Sequence, residues 1–377
     1  RPVLIRRRYM KVLEREILIV GAGPAGLSAA IEARRTGADV LVVDENSAPG
    51  GQLFKQIHRF FGSAEHRAGK RGFEIAGELC AEARELGVEI WLDSVAYGIF
   101  KEGVGVVRGD GNCVVKAKAI IVAAGSSEDP VAFPGSTLPG VITAGAAQTM
   151  ANVHRVLPGR RIVILGSGNV GLILGYQLMQ AGADIVAVVE KREKIGGYGV
   201  HAAKLRRAGV PIYTGMTVKE VSGESSVEEV VAAPLDENGQ FVPGAELRFA
   251  ADTLCIAAGM SPLTELLWQA GAKFDYIPEL SGFVPVHNGR MATTARGIYV
   301  AGDVTGVEEA PIAMEEGVLA GVSAAEAAGH ISAKDADALR AAAQERMSAL
   351  ESGAFGESRK AARHMQIADM GAEKGGN

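Results

Sequence analysis

The 377 residues carry 39 lysines and arginines against 44 aspartates and glutamates, a formal charge of −5, with 47% hydrophobic residues and 49 glycines. A chain of this length allows two or three domains with sizeable cores, and its mild acidity gives no global attraction to nucleic acid or anionic lipid. No uninterrupted apolar run approaches the roughly 18–20 residues that cross a bilayer, so no transmembrane segment is expected. The opening RPVLIRRRYMK is rich in arginine and poor in acids, as transit segments are, yet an extension ahead of a start at Met10 is the simpler expectation. Cys80, Cys113 and Cys255 are the three cysteines, far apart and without a Cys-x-x-Cys pair. Cys80 falls in the helical stretch FEIAGELCAEARELG and Cys255 in the apolar strand TLCIAAG, so both are expected as buried, inert thiols. No metal site is predicted, neither structural zinc nor an internal iron–sulfur cluster. The reducing cytoplasm is the simplest compartment.

Taken in chain order, EILIVGAGPAGLSAAIEARRTGADVLVVDE predicts strand, tight turn, helix and strand. Gly21, Gly23 and Gly26, with Pro24 and Ala25 between them, allow a tight turn, close phosphate approach and close helix packing. The helix that follows aims backbone amides and its positive end at a pyrophosphate. Asp44 ends the second strand, with 17 residues between it and Gly26, where a carboxylate accepts a ribose diol. PGGQLFKQIHRFFGS comes next; its Lys55, His58 and Arg59 read equally well as a basic surface patch. AIIVAAGSS is a buried strand ending in Ala-Ala-Gly, and Thr143–Gln148 follows in FPGSTLPGVITAGAAQT.

RRIVILGSGNVGLILGYQLMQAGADIVAVVEKRE then repeats the strand–loop–helix–strand pattern, with Gly166, Ser167, Gly168, Asn169, Val170 and Gly171 in its turn. Glu190 ends its second strand, and an acid there favours NAD through the free ribose diol. Lys191 and Arg192 follow at once, which keeps NADP open. His201, in GGYGVHAAKLRR, reads as a structural histidine. EEVVAAPLDENGQFVPGAELRFAADTLC reads as strands around a Glu-Asn-Gly turn. In GIYVAGDVTGVEEAPIAMEEG, Pro311 suits a first helical position. The amides of Ile312 and Ala313 are then expected to be free and to favour negative charge near them. The tail AKDADALRAAAQERMSALESGAFG places alanine, leucine and methionine at helical spacing. It predicts a helix packed on its own domain, with a partner-docking helix as the alternative.

These motifs, in this order over about residues 15–330, resemble the two-dinucleotide-binding-domain flavoproteins, the group that contains thioredoxin, ferredoxin and nitrite reductases. Within it, FPGSTLPGVITAGAAQT, GSGNVGLILGYQLMQAGA, KIGGYGVHAAKLRRAGVPI and GDVTGVEEAPIAMEEG resemble the alpha-type subunits of amine and amino-acid dehydrogenases. Octopine and nopaline oxidase, hydrogen cyanide synthase, dye-linked proline dehydrogenase and sarcosine oxidase subunits belong there. The resemblance implies an α/β fold of two Rossmann-like, three-layer ββα domains, the second inserted in the first, with a C-terminal helical tail. It places an FAD-binding domain at 15–145 and 284–330, an NAD(P) or adenine-nucleotide domain at 146–283, and a helical extension at 331–377.

PGGQ resembles the Gly-Gly-Gln segment that runs under the flavin pyrophosphate, so the first cofactor is expected to be FAD. The residues expected to hold it are those of the first loop with Asp44, Glu45, Gly50, Gly51, Gln52, Leu53, Val95, Ala124, Gly125, Gly302, Asp303, Pro311, Ile312 and Ala313. The second loop, with Glu190, Lys191, Ala258 and Gly259, is expected to hold NAD, or else NADP, ATP or ADP. No catalytic side chain is expected, because the flavin is the redox group.

The group's dithiol sits just upstream of the second loop, where this chain has Thr143–Gln148. Reducing equivalents are therefore expected to leave by flavin contact with another subunit, through a partner's cluster, or as hydride. The implied partners in a hetero-oligomer are a small iron–sulfur subunit and an FAD-dependent substrate-oxidising subunit. The alternatives are a free-standing NAD(P)H-dependent reductase and a structural nucleotide-binding scaffold.

Overall fold

The computed structural model describes residues 11–352 and 360–363, so the Arg-rich opening and most of the tail beyond Ser352 lie outside the described residues. Two compact units divide the described chain. The first takes residues 11–54, 59–127 and 261 onward; the second takes 55–58 and 128–260.

The first unit begins with β1 (Lys11–Val20), α1 (Pro24–Arg35), β2 (Val40–Val43), α2 (Gly72–Glu85) and β3 (Glu89–Trp91), a parallel βαβαβ run. Strands β4 (Ser94–Phe100), β5 (Gly103–Arg108) and β6 (Gly111–Val122) then form an antiparallel meander that joins the same sheet, in the order β3-β2-β1-β6-β5-β4. Side chains alternate across β1. Ile17 and Ile19 enter the core beneath α1, while Leu18 enters the core shared with Val104, Val106 and Val115. Both faces of the sheet are therefore covered, which is why the strand reads as an unbroken apolar run.

The chain leaves through the short β7 (Ser126–Glu128). The second unit holds β8 (Val141–Thr143), α3 (Ala144–Gln148), β9 (Arg161–Leu165), α4 (Asn169–Gln180), β10 (Asp184–Glu190), α5 (Gly199–Arg207) and β11 (Ile212–Thr214). The meander β12 (Met216–Ser222), β13 (Glu229–Pro234) and β14 (Leu247–Ala250) precedes β15 (Thr253–Ile256). Its main sheet is wholly parallel, in the order β11-β10-β9-β15-β8. The same alternation recurs: Ile162 and Ile164 face the helices, Val163 and Leu165 face the meander. Sheet, sheet and helix layers thus stack as the resemblance implies, with the Glu-Asn-Gly turn inside the link from β13 to β14.

After β16 (Met260–Pro262) the first unit is completed by α6 (Glu265–Gln269), the hairpin β17 (Phe274–Ile277) and β18 (Gly282–Pro285), β19 (Ile298–Val300), α7 (Ala310–Ala328) and α8 (Ala333–Leu350). β19 pairs with the end of β6. A Cβ on Gly317 would stand 2.2 Å from the Ala25 carbonyl oxygen, and one on Gly321 2.4 Å from that of Ala29. These two glycines, one turn apart, let α7 lie directly on α1. α8 buries Ala336, Arg340 and Ala343 on one face and donates from Arg340 to Glu326 of α7 at 2.6 Å, so it packs on its own unit.

The expected boundaries at 145/146 and 283/284 differ from the observed divisions at 127/128 and 260/261. β8 pairs with β15, which draws the residues before 146 into the second unit. Leu267 and Ala272 lie in the core beneath α1, which draws α6 into the first.

Candidate functional site: two glycine-loop cradles

At the first loop, the chain leaves β1 at Gly21, with φ +108°, and a Cβ there would lie 2.2 Å from the Ala123 carbonyl oxygen. A Cβ on Gly26 would lie 1.8 Å from the Gly21 oxygen. Packing alone therefore requires both glycines. Gly23 differs: its Cβ would meet only the Gly51 Cα, at 3.8 Å. Room above the start of α1 is what a side chain at Gly23 would fill. Gly23 caps α1, Pro24 opens it, and the first intrahelical bond runs from Leu27 N to Gly23 O at 2.9 Å. The amides of Ala25 and Gly26 thus precede the helical ladder, and the open space in front of them fits a pyrophosphate.

Asp44 is buried at the end of β2. Its Oδ2 accepts from the Ala22 amide at 2.6 Å, and its Oδ1 from the Asn46 amide and side chain at 2.8 and 2.9 Å. Glu45 beside it is exposed. The Ser94 amide donates to the Asp44 carbonyl at 2.9 Å, which sets exposed Val95, the next residue, near this strand end. Gly50 donates to the Ala22 carbonyl at 2.8 Å, and a Cβ on Gly51 would lie 2.9 Å from the Gly23 Cα. The Gly50–Gly51 pair is therefore a strap across the loop; Leu53 just after it is buried and Gln52 is exposed.

Ala124 and Gly125 follow β6, and Ser126 donates its hydroxyl to Asp303 Oδ2 at 2.8 Å. Asp303 sits on a short 3-10 turn, Gly302–Thr305. The expectation for Ile312 and Ala313 is corrected here. Both amides donate to the Glu309 carbonyl, at 3.0 and 3.1 Å, because Glu309 caps α7 and the helix starts at Ala310. Pro311 is thus the second helical residue, and all three side chains are buried.

The second unit repeats the device. A Cβ on Gly166 would lie 2.1 Å from the Ala257 oxygen and one on Gly171 2.2 Å from the Gly166 oxygen, while Gly168 has nothing within 4 Å. Buried Glu190 accepts through Oε2 from the Ser167 amide at 2.8 Å and hydroxyl at 2.6 Å, and through Oε1 from the Arg192 amide at 2.9 Å. Burial raises this carboxyl, but those hydrogen bonds and the nearby Arg192 charge outweigh it and hold it below the ordinary carboxylate value. Gly197 donates to the Ser167 carbonyl at 2.8 Å, and Asn169, first in α4, accepts from the Tyr198 amide at 2.8 Å. Lys191 and Val170 are exposed. Ala258 and Gly259 are also exposed, just beyond β15.

Thr143–Gln148 forms the cap and body of α3, with Thr143 Oγ1 accepting from the Ala146 amide at 3.3 Å. Glu128 Oε1 accepts from the Gly145 amide at 2.6 Å, and Lys55 lies against both Glu128 and the Gly145 carbonyl. Burial lowers the Lys55 ammonium and Glu128 partly offsets it. Burial also pushes His58 down to about 4, helped by His201 and Lys204, so the two histidines are neighbours. His201 is buried on α5 and is likewise lowered by burial, then by Lys204. Arg59 alone of the three basic residues sits in the first unit, exposed. All three cysteines are buried and free, Cys255 pushed up to about 12 by burial and then Glu128, Cys113 raised by burial.

Sequence reasoning did not anticipate Ser126 or Glu128, nor Glu316, which accepts from the Gly302 amide at 2.8 Å. A glutamate inside the apolar helix APIAMEEGVLAG was the available signal for Glu316, since buried carboxylates are rare without partners.

A family model described as pyridine nucleotide-disulphide oxidoreductase matches residues 15–317. The A subunit of opine oxidase from Agrobacterium tumefaciens is 32% identical over 330 residues, covering 82% of this chain and 65% of that protein. The alpha subunit of sarcosine oxidase from a Corynebacterium is 30% identical over 327 residues, 83% of this chain and 33% of that protein. Thioredoxin reductase of T. acidophilum shares the fold, with a TM-score of 0.68 at 22% identity over 83% of this chain and 98% of that one. The chain thus spans less than two thirds of the length of either oxidase relative.

Proposed function

The chain belongs to the pyridine nucleotide-disulphide oxidoreductase family, and from that premise we propose that it is the electron-relaying subunit of an amine or amino-acid dehydrogenase. It is an FAD-dependent oxidoreductase of a family whose cofactors are FAD and a nicotinamide nucleotide. In this reading FAD lies on the first cradle and an adenine nucleotide, NAD first, on the second. A partner flavoprotein in the same hetero-oligomer oxidises the C–N bond, and this chain passes the electrons to an acceptor, which a small iron–sulfur subunit can carry. Bound FAD supplies the redox chemistry, accepting electrons in pairs and releasing them singly or together.

The chain's own residues position and tune. The amides at the start of α1 bind the pyrophosphate and Asp44 accepts the ribose hydroxyls while bracing the loop. Asp303 holds the ribityl or phosphate region. Glu190 does for the second nucleotide what Asp44 does for the first. The observation that carries the reading is the pair of like-built cradles in one chain whose α3, at the place of the dithiol, is Ala144–Gln148. The relatives named as subunits of opine and sarcosine oxidases support the substrate class. Among the described residues no helix is long and apolar enough to cross a membrane.

Purification of the native assembly tests this. The chain is expected to co-elute with a second flavoprotein and to reduce an artificial dye from an amine only in its company. Efficient amine oxidation by the isolated chain would overturn the relay role.

A further inference from the structure

The turn that presents Asp303 is held from beneath by one carboxylate. Glu316, on α7 and 1% exposed, accepts from the Gly302 amide at 2.8 Å and from the Thr305 hydroxyl at 3.0 Å. The same hydroxyl lies 2.9 Å from the Gly302 carbonyl, so its single proton is shared between that oxygen and Glu316 and ties the turn to the carboxylate. The cation beside Glu316 comes from far along the chain. Arg363, itself buried, places Nη1 at 3.7 Å from Glu316 Oε1 and 3.2 Å from Glu351 Oε1, and donates from Nη2 to Glu308 Oε1 at 2.8 Å. Glu308 in turn donates its amide to Asp303 Oδ1 at 3.3 Å. One guanidinium thus serves three carboxylates from the loop before α7, from α7 and from the end of α8. The groups facing Glu316 are then Gly302 and Thr305 of the turn, Glu308 and Arg363, with Glu351 reached through Arg363.

We propose that Arg363 is a positioning residue of the flavin site, holding the charge of the carboxylate that braces the Gly302–Thr305 turn and so setting how tightly that turn takes FAD. The proposal rests on the reading that Asp303 binds FAD. FAD carries a negatively charged pyrophosphate, and a buried carboxylate without its counter-ion repels it through a low-dielectric medium. Burial, opposed by Arg363, pushes Glu316 up to about 7. Below that pH it is protonated and makes little demand on Arg363. Above it, the carboxylate is ionised and the guanidinium is needed, and because Arg363 lowers Glu316, its removal moves this ionisation to higher pH.

The full-length apoprotein is titrated with FAD at about pH 6 and about pH 10, the second high enough for Glu316 to ionise without its counter-ion, by quenching of flavin fluorescence, and the midpoint potential of the bound flavin is recorded. Arg363→Met is expected to lose roughly tenfold in FAD affinity at the higher pH and less than about twofold at the lower, tenfold being the factor that follows when FAD binding moves the Glu316 pKa by about one. Its bound flavin should also have a lower potential at the higher pH, since added negative charge disfavours electron uptake. Arg363→Lys should restore most of the affinity, and Glu316→Gln in the Arg363→Met background should restore it too. Wild-type affinity in Arg363→Met at both pH values, equal loss at both, or no rescue by Glu316→Gln would overturn the proposal. Should Arg363→Met fail to fold, Glu316→Gln alone decides: it should flatten the dependence of FAD affinity on pH around 7, and an unchanged dependence overturns the proposal. Asp303→Ala separates the two levels. Retention of FAD in that variant removes the underlying reading of the turn, whereas its loss beside a wild-type-like Arg363→Met removes Arg363 alone.

Discussion

The two cradles are built from the same parts in the same order. Each has a strand ending in Gly-x-Gly-x-x-Gly, an acid at the end of the next strand, a glycine pair six residues beyond that acid, and a later strand ending in Ala-Ala-Gly. In each, the acid accepts from the amide after the first glycine, Ala22 to Asp44 at 2.6 Å and Ser167 to Glu190 at 2.8 Å. They differ at that residue and that acid. Both turn the second oxygen to the amide two residues on, Asn46 for Asp44 and Arg192 for Glu190; the third donor is the Asn46 side chain for the shorter Asp44 and the Ser167 hydroxyl for the longer Glu190. Both acids therefore brace their own loop. The straps differ as well. Gly51 closes on the Cα of the middle glycine of its loop, whereas Gly197 closes on Asn169 at the start of α4 and on the Gly168 carbonyl carbon, leaving the space where a Gly168 side chain would stand open. A glycine loop is thus two devices: outer glycines that the fold needs, and a middle one that only a ligand needs.

Substitution separates those devices most sharply in the first unit. Gly26→Val forces a side chain onto the Gly21 carbonyl, so it should unfold the unit, with loss of more than about 4 kcal/mol in chemical denaturation and no flavin absorbance. Gly23→Val meets no such obstacle. It should fold with a near-wild-type melting curve and purify colourless. A yellow Gly23→Val protein would remove the first loop from the FAD site.

In the second unit Gly168→Val should abolish dinucleotide binding by calorimetry while flavin absorbance and the melting temperature stay as they are. Loss of flavin together with the nucleotide would break the independence of the two cradles.

The acid at Glu190 should show both of its roles. Glu190→Ala removes the acceptor for three donors and should cost about 2 kcal/mol or more of stability. It should weaken NAD and NADP alike through the loop, and NAD by the larger factor, because only NAD offers a free 2′-hydroxyl; equal loss would leave Glu190 as a brace alone. Its folded pKa is depressed, so its contribution is present above the ordinary carboxylate value of 4.5 and is lost as pH falls below it. Melting temperatures across that range should fall in the wild type and flatten in Glu190→Ala.

The smallest effect is expected where thiols are removed. Cys80, Cys113 and Cys255 changed together to alanine should leave dye-linked turnover in the assembly within about a few-fold, any loss following stability at about 1 kcal/mol per buried site. Complete loss of turnover with FAD and fold intact would reinstate a thiol route.

Local sequence by itself determined both cradles, because each is made of neighbours: a strand, a turn, a helix start and an acid a short way along. Unbroken apolar runs also announced an α/β fold, since strands covered on both faces have nowhere to put a polar side chain. The registers of distant pieces were decided by the tertiary structure. Where the units divide follows from β8 pairing with β15 and from Leu267 entering the core beneath α1, contacts between segments more than a hundred residues apart. The start of α7 moved by one residue, enough to bind the two amides expected to be free, because Glu309 caps the helix, a choice made by backbone geometry and not by residue type. Glu316 and Arg363 lie 47 positions apart and meet only in the tertiary structure. No local pattern carries such a pairing, for its stabilisation exists only where burial removes the water that would otherwise screen it.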